Sequence, residues 1–215
     1  MTDTDHRMSA SLLDISRIGH QLITDIVPQG ARVLDVGCDD GALMRRLELV
    51  KQVDARGVEL FQEQVNKCVA QGLAVVQGDA DTDLEQYPDA AFDYDVMSQV
   101  VQATRDPRAV VEQLLRIGNR VVVSFPNFAH WRVRISLALR GRMPETEKLP
   151  YSLYDTSNIH FCSIVDFLAL VETLNAHVEQ LIVLDRNGKQ IADKSPLFWK
   201  NLFGEQALIV LSKND

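Results

Sequence analysis

The chain is short of most features that would place it outside the cell, in a membrane or on nucleic acid. Three cysteines occur in 215 residues, Cys38, Cys68 and Cys162. They are odd in number and far apart, which argues against a disulfide framework and a zinc site and fits a reducing cytoplasm. No apolar run approaches the roughly 18 residues needed to span a bilayer. The opening MTDTDHRMSA is polar and acidic, unlike a secretory signal. Positive charge is scarce as well: 22 Lys and Arg stand against 30 Asp and Glu, a net charge of -8. That balance argues against bulk nucleic-acid binding and against a polybasic membrane anchor. Internal repeats and low-complexity linkers are absent.

What is present reads as one α/β domain. Hydrophobic residues are 46% and charged residues 24% of the chain, an ordinary globular balance. Residues 1–10 are expected to be a flexible N-terminus and 11–215 a single domain. Leu12, Ile15, Ile18, Leu22 and Ile26 recur at spacings of three and four, which predicts an amphipathic helix over 11–27 that Pro28 stops. Strands are expected at ARVLDVG, ARGVEL, LAVVQGD, FDYDVMSQV and RVVVSFPN, with late strands at HVEQLIVLD and QALIVLSK. Helices are expected over 41–50, 62–71, DPRAVVEQLLRIG and 163–175. Asp106 and Ser163 are the candidate caps of the last two, with Pro107 at a first helical position. The βαβαβ alternation predicts a doubly wound, mostly parallel sheet with helices on both faces.

In such a sheet, ligands bind at the carboxyl ends of the strands. Acids mark three successive strand ends. VLDVGCDDGAL places Asp35, Asp39 and Asp40 among Gly37 and Gly41, GVEL ends on Glu59, and QGDA carries Asp79. A carboxylate offers two acceptor oxygens, which suit a ribose hydroxyl pair at Glu59 and an adenine amino group at Asp79. Asp39 and Asp40 would repel a phosphate on the helix that follows. The pattern therefore suits a nucleoside without phosphate. Cys38, Leu60, Ala80 and Ser98 flank these positions and complete the candidate set. The alternative is a tight strand-to-helix turn with solvated acids.

The loop resembles motif I of the Rossmann-like methyltransferases, which bind S-adenosylmethionine. That family usually reads Asp-x-Gly-x-Gly-x-Gly. This chain keeps Asp35, Gly37 and Gly41 but has Asp39 where the middle glycine is usual. Asp tolerates left-handed backbone better than most residues, so the turn can survive. A longer resemblance runs through FPNFAHWRVR, GRMP, LPYSLYDTSNIHFCSIVDF and LFWKNLFGEQ, which look like the MetW proteins of bacterial methionine biosynthesis. It implies a class I methyltransferase-like fold, a cofactor site for S-adenosylmethionine or S-adenosylhomocysteine, a cytoplasmic location, and a role as partner of the homoserine O-acyltransferase MetX. A small-molecule methyltransferase using the same cofactor is the alternative. The chain has no GxSxG elbow for acyl transfer of its own. It has no Asn-Pro-Pro-Tyr type loop after the fourth strand and no acid cluster suited to a divalent cation.

The remaining candidates for partner or substrate contact follow the fifth strand: Asn127, His130, Trp131, Arg132, Arg134, Tyr154 and His160. Asn127 is either a turn former or a ligand contact. His130 and Arg134 share a face if 129–140 is helical. His160 is either a structural hydrogen-bonder or a catalyst. Tyr151 and Tyr154 either line a pocket mouth or lie half-buried at the surface. Trp131 and Trp199 are either core anchors or docking residues. Charge is segregated: residues 79 to 95 hold seven acids and no base, whereas 116 to 142 hold six arginines and no acid. The arginine-rich segment suits a carboxylate, a phosphate or an acidic protein face, or else is a solvated helix surface.

Overall fold

The computed structural model describes residues 17–141, 156 and 158–214. The expected N-terminal segment 1–10, Tyr151 and Tyr154 lie outside the described residues. Five strands run parallel: β1 (Arg32–Val36), β2 (Asp54–Glu59), β3 (Val75–Gln77), β4 (Phe92–Ser98) and β5 (Gly118–Pro126). Two more, β6 (Ala176–Leu184) and β7 (Gln206–Lys213), complete a seven-stranded sheet in the order β3-β2-β1-β4-β5-β7-β6. β7 is antiparallel to both its neighbours, β5 and β6. The sheet is thus mostly parallel, as the alternation of elements requires, and the strand order reverses between β1 and β4.

Helices cover both faces. On one lie α1 (17–26), α2 (Ala42–Lys51) and α3 (Gln62–Ala70); Ile23, Leu43, Met44, Leu47 and Val65 pack there against Val33, Val96 and Val122. On the other lie α4 (Pro107–Ile117) and α6 (Ile164–Thr173), where Leu114, Phe167 and Val171 meet Leu34, Met97 and Phe125. α5 (Trp131–Arg140) and α7 (Leu197–Phe203) stand near the carboxyl end of β5. Strand residues alternate between the two clusters because successive side chains point to opposite faces.

The caps behave as expected. The Asp106 side chain accepts the Ala109 amide at 3.0 Å, with Pro107 at the first position of α4. Ser163 accepts the Asp166 amide at 3.2 Å and its hydroxyl donates back to the Asp166 carboxylate at 2.5 Å. Three details differ from the sequence reading. The deepest apolar residues here are Ile23 on α1 and Val27 just beyond it, while Ile18, Leu22 and Ile26 are only partly buried. The apolar surface there is wider than one stripe, and packing seats its middle. β3 is three residues long, because only Val75–Gln77 find partners on β2 at this sheet edge. LFWKNLF forms the short helix α7, preceded by Pro196 as its cap residue, a segment with no helical period long enough to read.

Candidate functional site

A cleft of about 520 Å³ opens at the carboxyl ends of β1, β2 and β4, within the usual size range of small-molecule sites. Of the expected cofactor residues, Gly37, Asp39, Glu59, Leu60, Asp79, Ala80 and Ser98 line it. Asp35, Cys38 and Gly41 are not part of the lining; Asp35 is 2% and Cys38 6% exposed.

The loop after β1 passes through the left-handed region three times, at Gly37 (φ 75°), Asp39 (φ 49°) and Gly41 (φ 77°). At the two glycines space matters as well as dihedral. A Cβ on Gly37 would lie 2.4 Å from Val100 Cγ2, and one on Gly41 would lie 2.3 Å from Leu73 Cδ1. Asp39 adopts the left-handed turn without a glycine, as aspartate can. Its backbone amide donates to Glu59 Oε2 at 2.9 Å. The Phe61 amide donates to Glu59 Oε1 at 3.0 Å. Glu59 is 6% exposed and lines the cleft. Two backbone donors thus fix its carboxylate, and each oxygen keeps acceptor capacity for a further donor. Both oxygens are held in place by the backbone at the cleft wall.

Negative charge crowds this end of the cleft. Asp35 is 2% exposed, and burial, followed by the neighbouring Glu59, pushes its carboxyl up to about 7. Burial also raises the Asp39 carboxyl, with Asp40 and Glu59 adding like charge. Beneath the loop, Cys38 and Cys68 meet. Distance in sequence hid this contact: the two thiols hydrogen-bond, both are free, and Cys68 Sγ also donates to the Asp39 carbonyl at 3.2 Å. Burial raises both thiols, so they pack as inert small residues.

The other end of the cleft is held by a residue the sequence reading passed over. The Arg105 guanidinium pairs with Asp79, and its amide reaches both Asp81 oxygens at 3.0 Å. Asp79 Oδ1 also accepts the Asp81 amide at 2.9 Å. Asp79 is therefore at the expected place but already paired. Phe61 and Gln99 line the cleft too. Phe61 is 65% exposed and lies two residues after the strand-end acid, a position close enough in sequence to have been legible. Gln99 sits at φ 63° with its amide on the Ser124 carbonyl at 2.9 Å. No sequence signal marks it, because tertiary pairing with β5 sets that dihedral.

The residues expected to meet a partner or substrate separate into two groups. Asn127 is 2% exposed; its amide donates to the carbonyls of Asn201 at 2.9 Å and Gly204 at 2.8 Å, clamping α7. His130 is 5% exposed, and burial, with Arg132 second, pushes its imidazole down to about 4, so the ring is neutral. It precedes α5 as the cap residue and points inward, whereas Arg134 is exposed and donates to the Ala129 carbonyl at 2.6 Å. Trp131 is 37% exposed, with the Arg132 guanidinium 5.4 Å above its ring. His160 is half-buried, its Nε2 3.4 Å from the Arg105 carbonyl.

The charge segregation is partly resolved by long-range pairing. Asp93 pairs with Arg32, Asp89 with Arg116, and Arg120 with Glu179. Arg132, Arg134 and Arg140 remain on the exposed surface of α5. Among the described residues, no group of three metal-ligating side chains converges. No helix among them is long and apolar enough to cross a membrane. Among the described residues, the cleft lining holds no histidine, cysteine, lysine or tyrosine.

A family profile described as "Methionine biosynthesis protein MetW" matches residues 17–211. The bifunctional methionine biosynthesis protein MetXA/MetW of Rhodopirellula baltica is 27% identical over 209 residues, which are 92% of this chain and 33% of that protein. The chain thus spans about a third of that relative's length. Among solved structures, a chain of the complex between the Haloferax volcanii Trm112 methyltransferase activator and a putative methyltransferase superimposes with TM-score 0.68. It is 15% identical, with 99% of this chain and 96% of that one covered. A Thermotoga maritima S-adenosylmethionine-dependent methyltransferase, possibly a histamine N-methyltransferase, gives TM-score 0.63 at 17% identity over 93% and 91% of the two chains. At such identities the structural likeness establishes the class I methyltransferase fold.

Proposed function

Because the chain belongs to the MetW family of methionine biosynthesis proteins, we propose that it binds S-adenosylmethionine or S-adenosylhomocysteine in the cleft and acts as the partner and activator of a homoserine O-acyltransferase. The observation that carries the cofactor reading is Glu59, held by the amides of Asp39 and Phe61 with its acceptor capacity toward the cleft. In this reading Glu59 takes the ribose diol, Leu60 and Phe61 offer apolar surface to the base, and the loop from Asp35 to Gly41 receives the methionyl end. Bound S-adenosylmethionine would supply an electrophilic methyl group. The described residues of the cleft lining are carboxylates, small polar and apolar side chains, a surface suited to holding the nucleoside.

The partner reading rests on the relative in which MetXA and MetW share one polypeptide, together with the missing acyl-transfer elbow. Both proteins would work in the cytoplasm, where buried free thiols persist. The test is an acyltransferase assay with and without this protein, with S-adenosylmethionine titrated in. Activation that responds to the nucleoside is the expected result. The second reading, a small-molecule methyltransferase, draws on Gln99, whose left-handed backbone at the end of β4 is the kind of strain that collects at functional sites. Labelled methyl transfer at about one turnover per second or faster, with an indifferent acyltransferase, would replace the partner reading with this one.

A further inference from the structure

We propose that the wall of the nucleoside cleft and an outer apolar face are one mechanical unit, so that filling the cleft rigidifies the segment 158–162 and tightens docking of the acyltransferase there. The inference rests on the partner reading above and adds the surface and its regulation.

The shared element is the stretch from Gln99 to Arg105, which includes the 3₁₀ turn Val101–Ala103. Its inner side belongs to the cleft: Gln99, Val100, Ala103 and Thr104 line it, and Arg105 grips Asp79 at its rim. Its outer side carries the segment after 157. The Gln102 carbonyl accepts the amides of both Ile159 at 2.9 Å and His160 at 3.0 Å. The Arg105 carbonyl lies 3.4 Å from His160 Nε2. Gln102 itself is 4% exposed, and its side-chain amide is tied to the Gln99 carbonyl at 2.7 Å. One short stretch of backbone therefore forms the ligand's wall and the shelf on which residues 159 and 160 rest.

That shelf positions apolar surface. Ile159 is 58% and Phe161 59% exposed. The Phe161 ring lies 5.3 Å from that of Phe128, and the Phe128 amide donates to the Cys162 carbonyl at 3.0 Å. Phe128 belongs to the loop that leads to Trp131, with Arg132 stacked on it, and to the exposed Arg134 of α5. No acid occurs between Trp131 and Arg140. On a chain of net charge -8, this face is locally aromatic and cationic, the composition of a binding hot spot. Its complement is an apolar surface bearing carboxylates. The occupant is the acyltransferase, because MetXA and MetW share one polypeptide in a relative of this chain.

A ligand touching Gln99, Val100, Ala103 and Thr104 restricts the shelf, and the shelf restricts Ile159, His160 and Phe161. Docking on a surface already ordered loses less conformational entropy, so the coupling is positive. By linkage the two affinities rise by the same factor, on the order of five-fold or more.

The test is amide hydrogen exchange on the full chain with S-adenosylhomocysteine as probe. Exchange is expected to slow at 99–105 and at 158–162 together, and the Kd for the acyltransferase to fall by about five-fold or more. Ile159→Pro removes one amide from the Gln102 carbonyl without touching the cleft lining. It should leave nucleoside affinity within about two-fold and abolish the dependence of docking on the nucleoside. Protection confined to the cleft, or docking indifferent to the nucleoside, overturns the coupling and leaves the cofactor reading standing. No protection anywhere overturns both, and it is separated from the first outcome by the absence of any binding heat.

Discussion

Glu59 and Asp39 decide the cleft at the level of single residues. Glu59 is worth most because its carboxylate is already oriented by two amides. Glu59→Ala is expected to weaken S-adenosylhomocysteine binding by about 1.5–3 kcal/mol, the range for a hydrogen bond to a charged group. Calorimetry that finds unchanged affinity would remove Glu59 from the site. Asp39 sits at φ 49° beside Asp40 and Glu59. Asp39→Gly relieves a left-handed side chain and removes one of several like charges. Thermal stability should rise, by up to about 1 kcal/mol, with nucleoside affinity at least maintained. A clear loss of affinity would instead mean that the Asp39 carboxylate meets the ligand's ammonium group. Both residues were legible beforehand, because an acid at a strand end and an acid in a glycine turn are local signals. Arg105 was not, since its pairing with Asp79 and Asp81 joins residues that only the fold brings together.

Among the elements, β4 carries an unusual cost. Asp95 is fully buried, both its carboxylate oxygens lack a hydrogen-bond partner, and burial pushes its carboxyl up to about 8, with Arg116 only partly opposing. In the unfolded chain the group ionises near pH 4. Between about pH 4 and pH 8 the folded state therefore holds a proton that the unfolded state has lost. Stability falls as pH rises through that window and levels off above it. Asp95→Asn, neutral at every pH, should flatten this slope and stabilise the protein at pH 8 by an amount on the order of a few kcal/mol. Denaturant melts of both proteins at pH 5 and pH 8 measure it. Equal pH dependence in the two would show that Asp95 is ionised and paired after all. That FDYDV is a strand is legible in the sequence; that its second Asp faces the packed side is not. Alternation puts Asp95 on the α4 face, and α4 seals it there.

For the molecule as a whole, the prediction concerns what the exposed arginines are for. Arg120 and Arg116 are spent on internal ion pairs, whereas Arg134 stands outside on α5 next to Trp131. Arg134→Glu is expected to abolish activation of, and co-purification with, the homoserine acyltransferase while nucleoside affinity stays within about two-fold. Reversal places repulsion where attraction was, so its effect should exceed that of truncation to alanine. Undiminished co-purification would move the docking surface away from α5. Asn127 and His130, expected beside Arg134 in the same role, instead hold α7 and the start of α5 from inside.

The sequence by itself determined the layers and the near end of the candidate site. Period, capping residues and strand-end acids are local, and local signals are enough to order βαβ units and to put Glu59, Gly37 and Asp39 at carboxyl ends. The tertiary structure decided whatever depends on chain segments far apart. It inserted β7 antiparallel between β5 and β6, joined Cys38 to Cys68 under the loop, and gave Asp79 to Arg105. It turned Asn127 and His130 inward and laid Ile159 and His160 on the shelf behind the cleft. Each of these is a pairing of groups whose partners lie tens of residues away, and a one-dimensional pattern carries no record of which distant donor will meet which acceptor until packing closes the distance.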